Sequence, residues 1–380
     1  MLIMIFLTVV TKSFFASWII RQLVDVHYHA AGIIPNRNYH GTYDNGSDGR
    51  ITTQSSTGKI LHVVTTRFQQ LQPHLVDLGK ARLELFETFC LPTMVNQQDL
   101  QNRFLWFVMT DPDLDPVLMQ RLEQLLRPFE NFYLVMSNEK LVTPTQIEKL
   151  NNQTIQQYIK TGDLDLLFHE LFDVHRPLLI ETRLDADDGL NSRTLSEIQR
   201  VVLEDLPENI NGWQIICSRI HYEWRNNDIT GPIGRNMSSG KIRLVREQIC
   251  VTPGYTLVRH RPPGSIDFPT WPRNGHNLIV LEWPECSNDP RNETSYNCWK
   301  KLGTFPSAIR SRTITSAGMS RIAPPSNLNK YDNQTRLFWD LVERDFGIFE
   351  SKAISTSEYL QRNLPYIVED NLKGQWYVCL

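Results

Sequence analysis

At 380 residues, with 41% hydrophobic and 21% charged side chains, the chain has material for one large domain or two modest ones. A net charge of −3 at pH 7 offers no basic surface for nucleic acid. Ten histidines and six cysteines show neither His-x-Glu-x-x-His nor Cys-x-x-Cys spacing, so a zinc site has no support.

The chain opens on an apolar run, residues 1–20, MLIMIFLTVVTKSFFASWII, interrupted at Lys12 and Ser13. Its length suits a signal peptide or a signal anchor that just spans a bilayer, with a buried N-terminal element as the alternative. Residues 21–59 are rich in Gly, Asn, Ser and Thr and read as a flexible stem. Asn-x-Ser/Thr sites at Asn45, Asn152, Asn236, Asn292 and Asn333 lean toward the secretory route. Cys286 and Cys298 flank a loop-like stretch suited to a disulfide in an oxidising compartment. Cys90 and Cys217 lie in apolar runs and are expected as buried thiols.

From residue 60 a rhythm begins. ILHVVTTRF predicts a strand ending near Thr66 and Arg67, and the next segment places Leu78, Ala81, Leu85 and Phe89 on one helical face. RFLWFVMTD is a second strand, followed by a helix with Leu118, Leu122 and Leu125 in register. FYLVMS is a third strand, and GDLDLLFHELFDV a helix with Asp163 at its N-cap. PLLIETRLD is a fourth, SRTLSEIQRVVLEDL its helix, and GWQIICSRIHYEW a fifth strand. This alternation predicts an α/β fold: a mostly parallel, Rossmann-like sheet with helices on both faces, in a single catalytic domain over residues 60–350. Residues 225–325 lose the rhythm and read as short strands and long loops of the same domain. Residues 351–380 read as a helical tail.

In such sheets ligands sit beyond the carboxyl ends of the strands. Three strands end in polar groups: Thr66–Arg67, Asp111 with Asp113, and Arg183–Leu184–Asp185. The last runs into Asp185-Ala186-Asp187-Asp188. Carboxylates crowded after a buried strand suit a hard divalent cation, Mn2+ or Mg2+, which takes one or two of them plus substrate phosphates. Asp-x-Asp by itself is a weak signal, since it recurs at Asp111/Asp113, Asp113/Asp115 and Asp163/Asp165. Asp187 or Asp188 could instead cap the helix that begins near Asn191. The apolar strand before the aspartates and the helix after them favour the functional reading.

RLDADDGLN resembles the Leu-Asp-x-Asp-Asp motif of inverting glycosyltransferases with the A-type nucleotide-sugar fold. Four blocks in order, RLELFETFCLPTMVNQ, FLWFVMTDPDLDP, ETRLDADDGL and RTITSAGM, resemble the rhamnosyltransferase family over roughly residues 60–325. The resemblance implies a nucleoside-diphosphate sugar donor, a divalent metal and transfer to an acceptor hydroxyl with inversion, rhamnose being the sugar that the family label suggests. By that analogy Thr66 and Arg67 line the nucleotide pocket, and Asp111 contacts base or ribose. Asp185 and Asp187 face ribose and metal–diphosphate, with Asp188 supporting the loop. Arg183 pairs with a phosphate or forms a structural ion pair. Arg82, inside a matching block, could equally be a solvated helix residue.

Inversion requires a base to take the acceptor's proton. Related enzymes carry it in a Glu-Asp pair after the metal motif. Here Glu204–Asp205 falls inside a helix and Glu369–Asp370 near the chain end, so neither suits the role. His221 and Glu223 in RIHYEW alternate onto one strand face and are the candidate bases, ahead of Glu282 and Asp289. Trp224 is either a sugar-stacking face or an ordinary core residue. Arg312, Thr313 and Ser316 form an acceptor or diphosphate loop, or a plain surface loop. The expectation is a glycosyltransferase of the secretory pathway, on the Golgi membrane through its N-terminal segment with the catalytic domain lumenal, or secreted if that segment is cleaved. The rival is a catalytically inactive nucleotide- or sugar-binding protein on the same scaffold, favoured by the missing base pair and opposed by the three aspartates.

Overall fold

The computed structural model describes residues 60–137, 152–172, 178–204, 213–218, 220–226, 241–246, 253–260, 299–302, 305–313, 315 and 335–377. The anchor and stem, Ser316, Glu282, Asp289, Cys286, Cys298 and the sites at Asn45, Asn236, Asn292 and Asn333 lie outside the described residues. What is described belongs to one compact unit, Ser56–Leu380.

Four strands form the parallel heart of the fold: β1 (Ile60–Phe68), β2 (Phe104–Thr110), β3 (Phe132–Met136) and β4 (Leu178–Asp185). Every residue of β2 is buried, and every residue of β1 except Arg67, as expected for central strands covered on both faces. The chain continues through β5 (Gly189–Leu190), β6 (Trp213–Cys217), β7 (Ile220–Arg225), β8 (Lys241–Arg246), β9 (Tyr255–His260), β10 (Trp299–Lys301) and β11 (Ala308–Arg312). The main sheet has the order β10-β6-β9-β4-β1-β2-β3, with β9 antiparallel between β4 and β6. A second sheet has the order β5-β11-β7-β8.

The helices are α1 (Val76–Leu85), continued by a π turn (Phe86–Cys90) into α2 (Leu91–Val95), then α3 (Pro116–Leu126), α4 (Asn152–Tyr158), α5 (Leu164–Phe172) and α6 (Thr194–Glu204). After β11 come α7 (Thr335–Phe346), α8 (Glu350–Arg362) and α9 (Leu364–Tyr377). Strand alternation sends Val64, Trp106 and Val108 toward α3 and α6, and Val63, Leu105 and Phe107 toward α4 and α5. Both faces of the sheet are thus covered by helices, which is the α/β architecture expected.

The helix segment that follows β1 lies between the two sheets. Leu83 and Phe86 join the main core, whereas Leu78, Ala81, Leu85 and Phe89 meet Tyr222, Trp224, Ile242 and Ile309 of the second sheet. The helical face read from the sequence is therefore real, and it serves a sheet that the sequence reading did not include. The π turn adds a residue to the helical phase at the point where the segment changes partners. Ala353, Leu360 and Ile367 of α8 and α9 complete the second core, so the C-terminal helices pack into the same unit as the strands.

Three expectations need correction. GWQIICSRIHYEW is two strands in two sheets: Ser218 breaks it, its hydroxyl donating to Ile220 O at 2.9 Å while accepting from Ile220 N at 3.1 Å. The segment leading into Arg312 is strand β11 rather than loop, because Ala308, Ile309, Ser311 and their neighbours alternate against β7. Cys90 is a buried thiol, but Cys217 is disulfide-bonded, its partner lying outside the described residues. Among the described residues no helix is long and apolar enough to cross a membrane.

Candidate active site

The carboxyl end of β4 carries the acidic turn. Arg67 of β1 pairs in register with Asp185, and both side chains are exposed there. Asp188 N donates to Asp185 O at 3.1 Å, closing the turn. Asp188 is itself buried, and its Oδ1 accepts from Ser311 N of β11 at 2.8 Å. It ties the turn to the second sheet. Asn191, rather than Asp187 or Asp188, serves the start of α6, its Oδ1 accepting from Arg193 N at 3.0 Å.

On the far side of the turn, Gly189 is pressed against the π turn. A Cβ there would lie 2.7 Å from Phe89 O and 2.7 Å from Thr93 Cγ2. Leu190 N donates to Thr93 Oγ1 at 3.1 Å, a further tie. The turn is thereby fixed by both sheets and by the helix between them.

The charge pattern follows from this crowding. Asp187, half-buried, is pushed up to about 6 by desolvation and then by the Asp185 carboxylate, against the pull of Arg82 and Arg312. Burial pushes Asp188 well above the ordinary carboxylate range, with Asp187 and Asp185 adding to it and Arg310 opposing. The Cys90 thiol beneath the turn is pushed up by burial, then by the three aspartates. No group of three or more His, Cys, Asp or Glu side chains able to hold a metal occurs among the described residues. Among the described residues, Asp185 and Asp187 are the carboxylates placed to meet a cation that keeps positions for substrate oxygens and water.

Facing the turn is a basic side. Arg82 of α1 is not a solvated helix residue. It donates to Gln69 Oε1 at 2.5 Å and Gln72 Oε1 at 2.9 Å, with Thr315 O at 3.5 Å. Gln69 sits in the left-handed region at φ 52°, held by its own Nε2, which donates to Leu75 O at 2.8 Å and Gln72 O at 3.0 Å. On the second sheet, Glu223 and Arg225 of β7 stand in register with Arg310 and Arg312 of β11.

The remaining expected residues fall into two groups. Arg67, Arg183, Asp185, Asp187, Asp188 and Arg312 gather at the turn, where Arg183 is pulled down to about 10 by burial while Glu181, Tyr255 and Asp185 favour its charge. Glu181 forms a buried ion pair with Arg259 behind it. The second group is occupied with framework contacts. Thr66 is fully buried, its hydroxyl accepting from Trp106 Nε1 at 2.9 Å. Asp111 is buried; Oδ2 accepts from Leu71 N at 3.2 Å and Oδ1 from Asp113 N at 2.9 Å, which shapes the loop after β1. Thr313 is buried, sharing a hydrogen bond with Thr315 Oγ1 at 2.8 Å.

Two roles do not fit the geometry. Trp224 cannot stack on a sugar, because it is 0% exposed and packs on Phe89 with ring centroids 4.6 Å apart. His221 and Glu223 do share a strand face, yet both are buried, and Glu223 Oε1 already accepts from Arg225. Neither presents itself to an acceptor hydroxyl. Arg82, Arg225 and Arg310 were missed as site residues. The only sequence signals for them were a matching block around Arg82 and the alternation of AIRSR around Arg310.

Residues 79–209 match the family described as "Putative rhamnosyl transferase". The fourth motif block, beginning at Arg312, lies outside that span. No curated protein matches the chain. Among solved structures, S. aureus TarS residues 1–349 in complex with UDP-GlcNAc is similar at 10% identity, over 80% of this chain and 73% of that one, with a TM-score of 0.32. The same protein in complex with UDP is similar at 10% identity, over 80% and 72%, with a TM-score of 0.28. The matched span, residues 79–209, includes Arg82, β4 and the whole acidic turn, and it is this part of the chain that is similar to the rhamnosyl transferase family.

Proposed function

We propose that the domain transfers a sugar from a nucleoside-diphosphate donor to an acceptor hydroxyl, with a divalent cation, Mn2+ or Mg2+, at Asp185 and Asp187. One observation carries this reading: Asp185, exposed, and Asp187, half-buried, stand two residues apart at the carboxyl end of β4, on a turn fixed from three sides. Such a pair favours a bound positive charge. The donor set is all oxygen and holds one exposed and one half-buried carboxylate, which fits a hard cation that keeps positions for diphosphate and water. When bound, the cation supplies neutralisation of charge on the departing diphosphate.

The chain's own residues have separate tasks. Asp188 holds the turn against β11 through Ser311 N. Arg67, exposed beside Asp185, would meet the nucleotide side of a donor held at the turn. Arg312 compensates Asp187 and would adjoin the phosphates of a donor held at the acidic turn.

The family description makes rhamnose the first sugar to test; inversion is proposed on the likeness of RLDADDGLN to the motif of inverting enzymes. The disulfide at Cys217 supports folding in an oxidising compartment, in line with residues 1–20 as a signal peptide or anchor and a lumenal Golgi domain. The test is a panel of nucleoside-diphosphate sugars, rhamnose donors included, incubated with the full chain and Mn2+. Release of nucleoside diphosphate and labelling of an acceptor are expected with one donor. Binding without release from any donor would favour the inactive binding protein.

A further inference from the structure

Glu223, Arg225, Arg310 and Arg312 share one face of the second sheet. The parallel register puts Arg310 opposite Glu223 and Arg312 opposite Arg225. The other face of the same strands is apolar, with Tyr222, Trp224 and Ile309 in the core, so alternation sends the charge to one side. Glu223 Oε1 accepts from Arg225 Nη2 at 3.1 Å and Nε at 3.3 Å, and Arg312 Nε lies 3.4 Å from it. The carboxylate is buried, while Arg225 and Arg312 keep 25% and 26% of their side-chain surface exposed.

A structural ion pair at Glu223 needs one arginine. Here two guanidinium groups, those of Arg225 and Arg312, adjoin one carboxylate, and Arg310 stands in register beside it, which is more positive charge than Glu223 alone offsets at a half-buried site. Arg310 and Arg312 also lie within electrostatic reach of Asp188 and Asp187, so the surplus faces the acidic turn. Guanidinium forks match phosphate oxygens two at a time; Arg225 turns its Nε and one Nη toward Glu223 and Arg312 its Nε, out of five N–H donors on each.

We infer that this arginine face binds the donor's diphosphate directly, and that Glu223 is a positioning residue that aims Arg225 and Arg312 at it. The inference rests on the nucleotide-sugar reading above and adds to it that diphosphate recognition does not depend on the cation alone. Glu223 thus has a role at the site without acting as the base.

The test is titration of inorganic pyrophosphate into the full chain by calorimetry, once in EDTA and once in Mn2+. The wild type is expected to bind in EDTA. Arg312→Gln and Arg310→Gln are each expected to weaken that binding at least tenfold, and Arg312→Lys, which keeps the charge and the fold but not the fork, to weaken it several-fold. Asp187→Asn is expected to bind in EDTA at least as tightly as wild type, because a carboxylate beside the phosphates is gone. Glu223→Gln is expected to narrow the preference for pyrophosphate over sulfate, a readout that neither net charge nor stability alone would move. Binding that requires Mn2+ and is lost in Asp187→Asn would overturn the inference and leave the donor reading standing. So would binding in EDTA that ignores both Arg→Gln variants, or tighter binding of glucuronate than of pyrophosphate, which would assign the face to an acidic acceptor. Failure of the donor reading shows separately, as no sugar transfer from any donor in Mn2+.

Discussion

Asp370, on the C-terminal helix, caps α1 across 293 residues of sequence: its Oδ2 accepts from Asp77 N at 2.9 Å and from Leu78 N at 3.2 Å. Leu75, at the N-cap of α1, has no capping side chain of its own. The distant carboxylate supplies the acceptor that the first turn lacks, and its charge suits the positive end of the helix. Asp370→Ala is expected to cost about 1 kcal/mol of stability, with a smaller loss for Asp370→Asn. Urea unfolding reads this directly. An unchanged midpoint in Asp370→Ala would mean that α1 is held by packing alone.

Gly189 has a packing reason to be glycine. Any Cβ would meet Phe89 O, a backbone atom of the π turn, at 2.7 Å, and backbone cannot swing aside as a flexible side chain can. Gly189→Ala is expected to cost about 1–3 kcal/mol as an overpacked contact. It should also lower donor turnover, because the displaced residue follows directly on Asp188. A variant that melts like wild type and turns over normally would show that the turn tolerates movement.

The legible parts of this fold were those where one short segment carries its own pattern. β1 is a β-branched run and β2 an almost wholly apolar one because helices cover them on both sides, and Leu118, Leu122 and Leu125 fall on one buried stripe of α3. The acidic turn was legible as a contrast, an apolar strand ending in three carboxylates. The second sheet was not. It assembles strands from residues 189–190, 220–225, 241–246 and 308–312, and no local pattern announces which distant segments pair. Arg82, Arg225 and Arg310 were illegible for the same reason: a guanidinium on a helix or strand looks solvated until its partners are placed. Cys217 shows the limit from the other side, since an apolar neighbourhood says nothing about which thiol lies across from it.

His62 is a buried base kept neutral. Its Nε2 lies 3.0 Å from Thr182 Oγ1 and its Nδ1 3.2 Å from Gln199 Nε2, while burial lowers it to about 3. The unfolded chain binds a proton here below about pH 6.5, its ordinary value, and the folded chain does not until about 3. Stability is therefore lost as pH falls through this window, by at most about 1.4 kcal/mol per pH unit. Chemical unfolding of wild type and His62→Gln between pH 7 and 4 separates this contribution. The variant is expected to lose less stability than wild type over that range, and parallel curves would remove His62 as the cause.

Asp187 has the opposite sign. Its folded value of about 6 lies above the ordinary 3.8, so the fold holds the protonated form more tightly than the unfolded chain does. The stability this gives is fully present below 3.8 and lost as pH rises through about 6, and above that the ionised side chain is a standing cost to the metal-free fold. Asp187→Asn removes the cost. In EDTA the variant is expected to melt above wild type at pH 7.5, with the gap closing toward pH 4. Added Mn2+ should raise the melting temperature of wild type and leave the variant where it was, because a cation favours the ionised carboxylate that the variant lacks. Donor turnover should vanish in the same variant. A residue that only shapes the fold would melt lower when replaced, so a less stable Asp187→Asn with normal turnover in Mn2+ would remove Asp187 from the site.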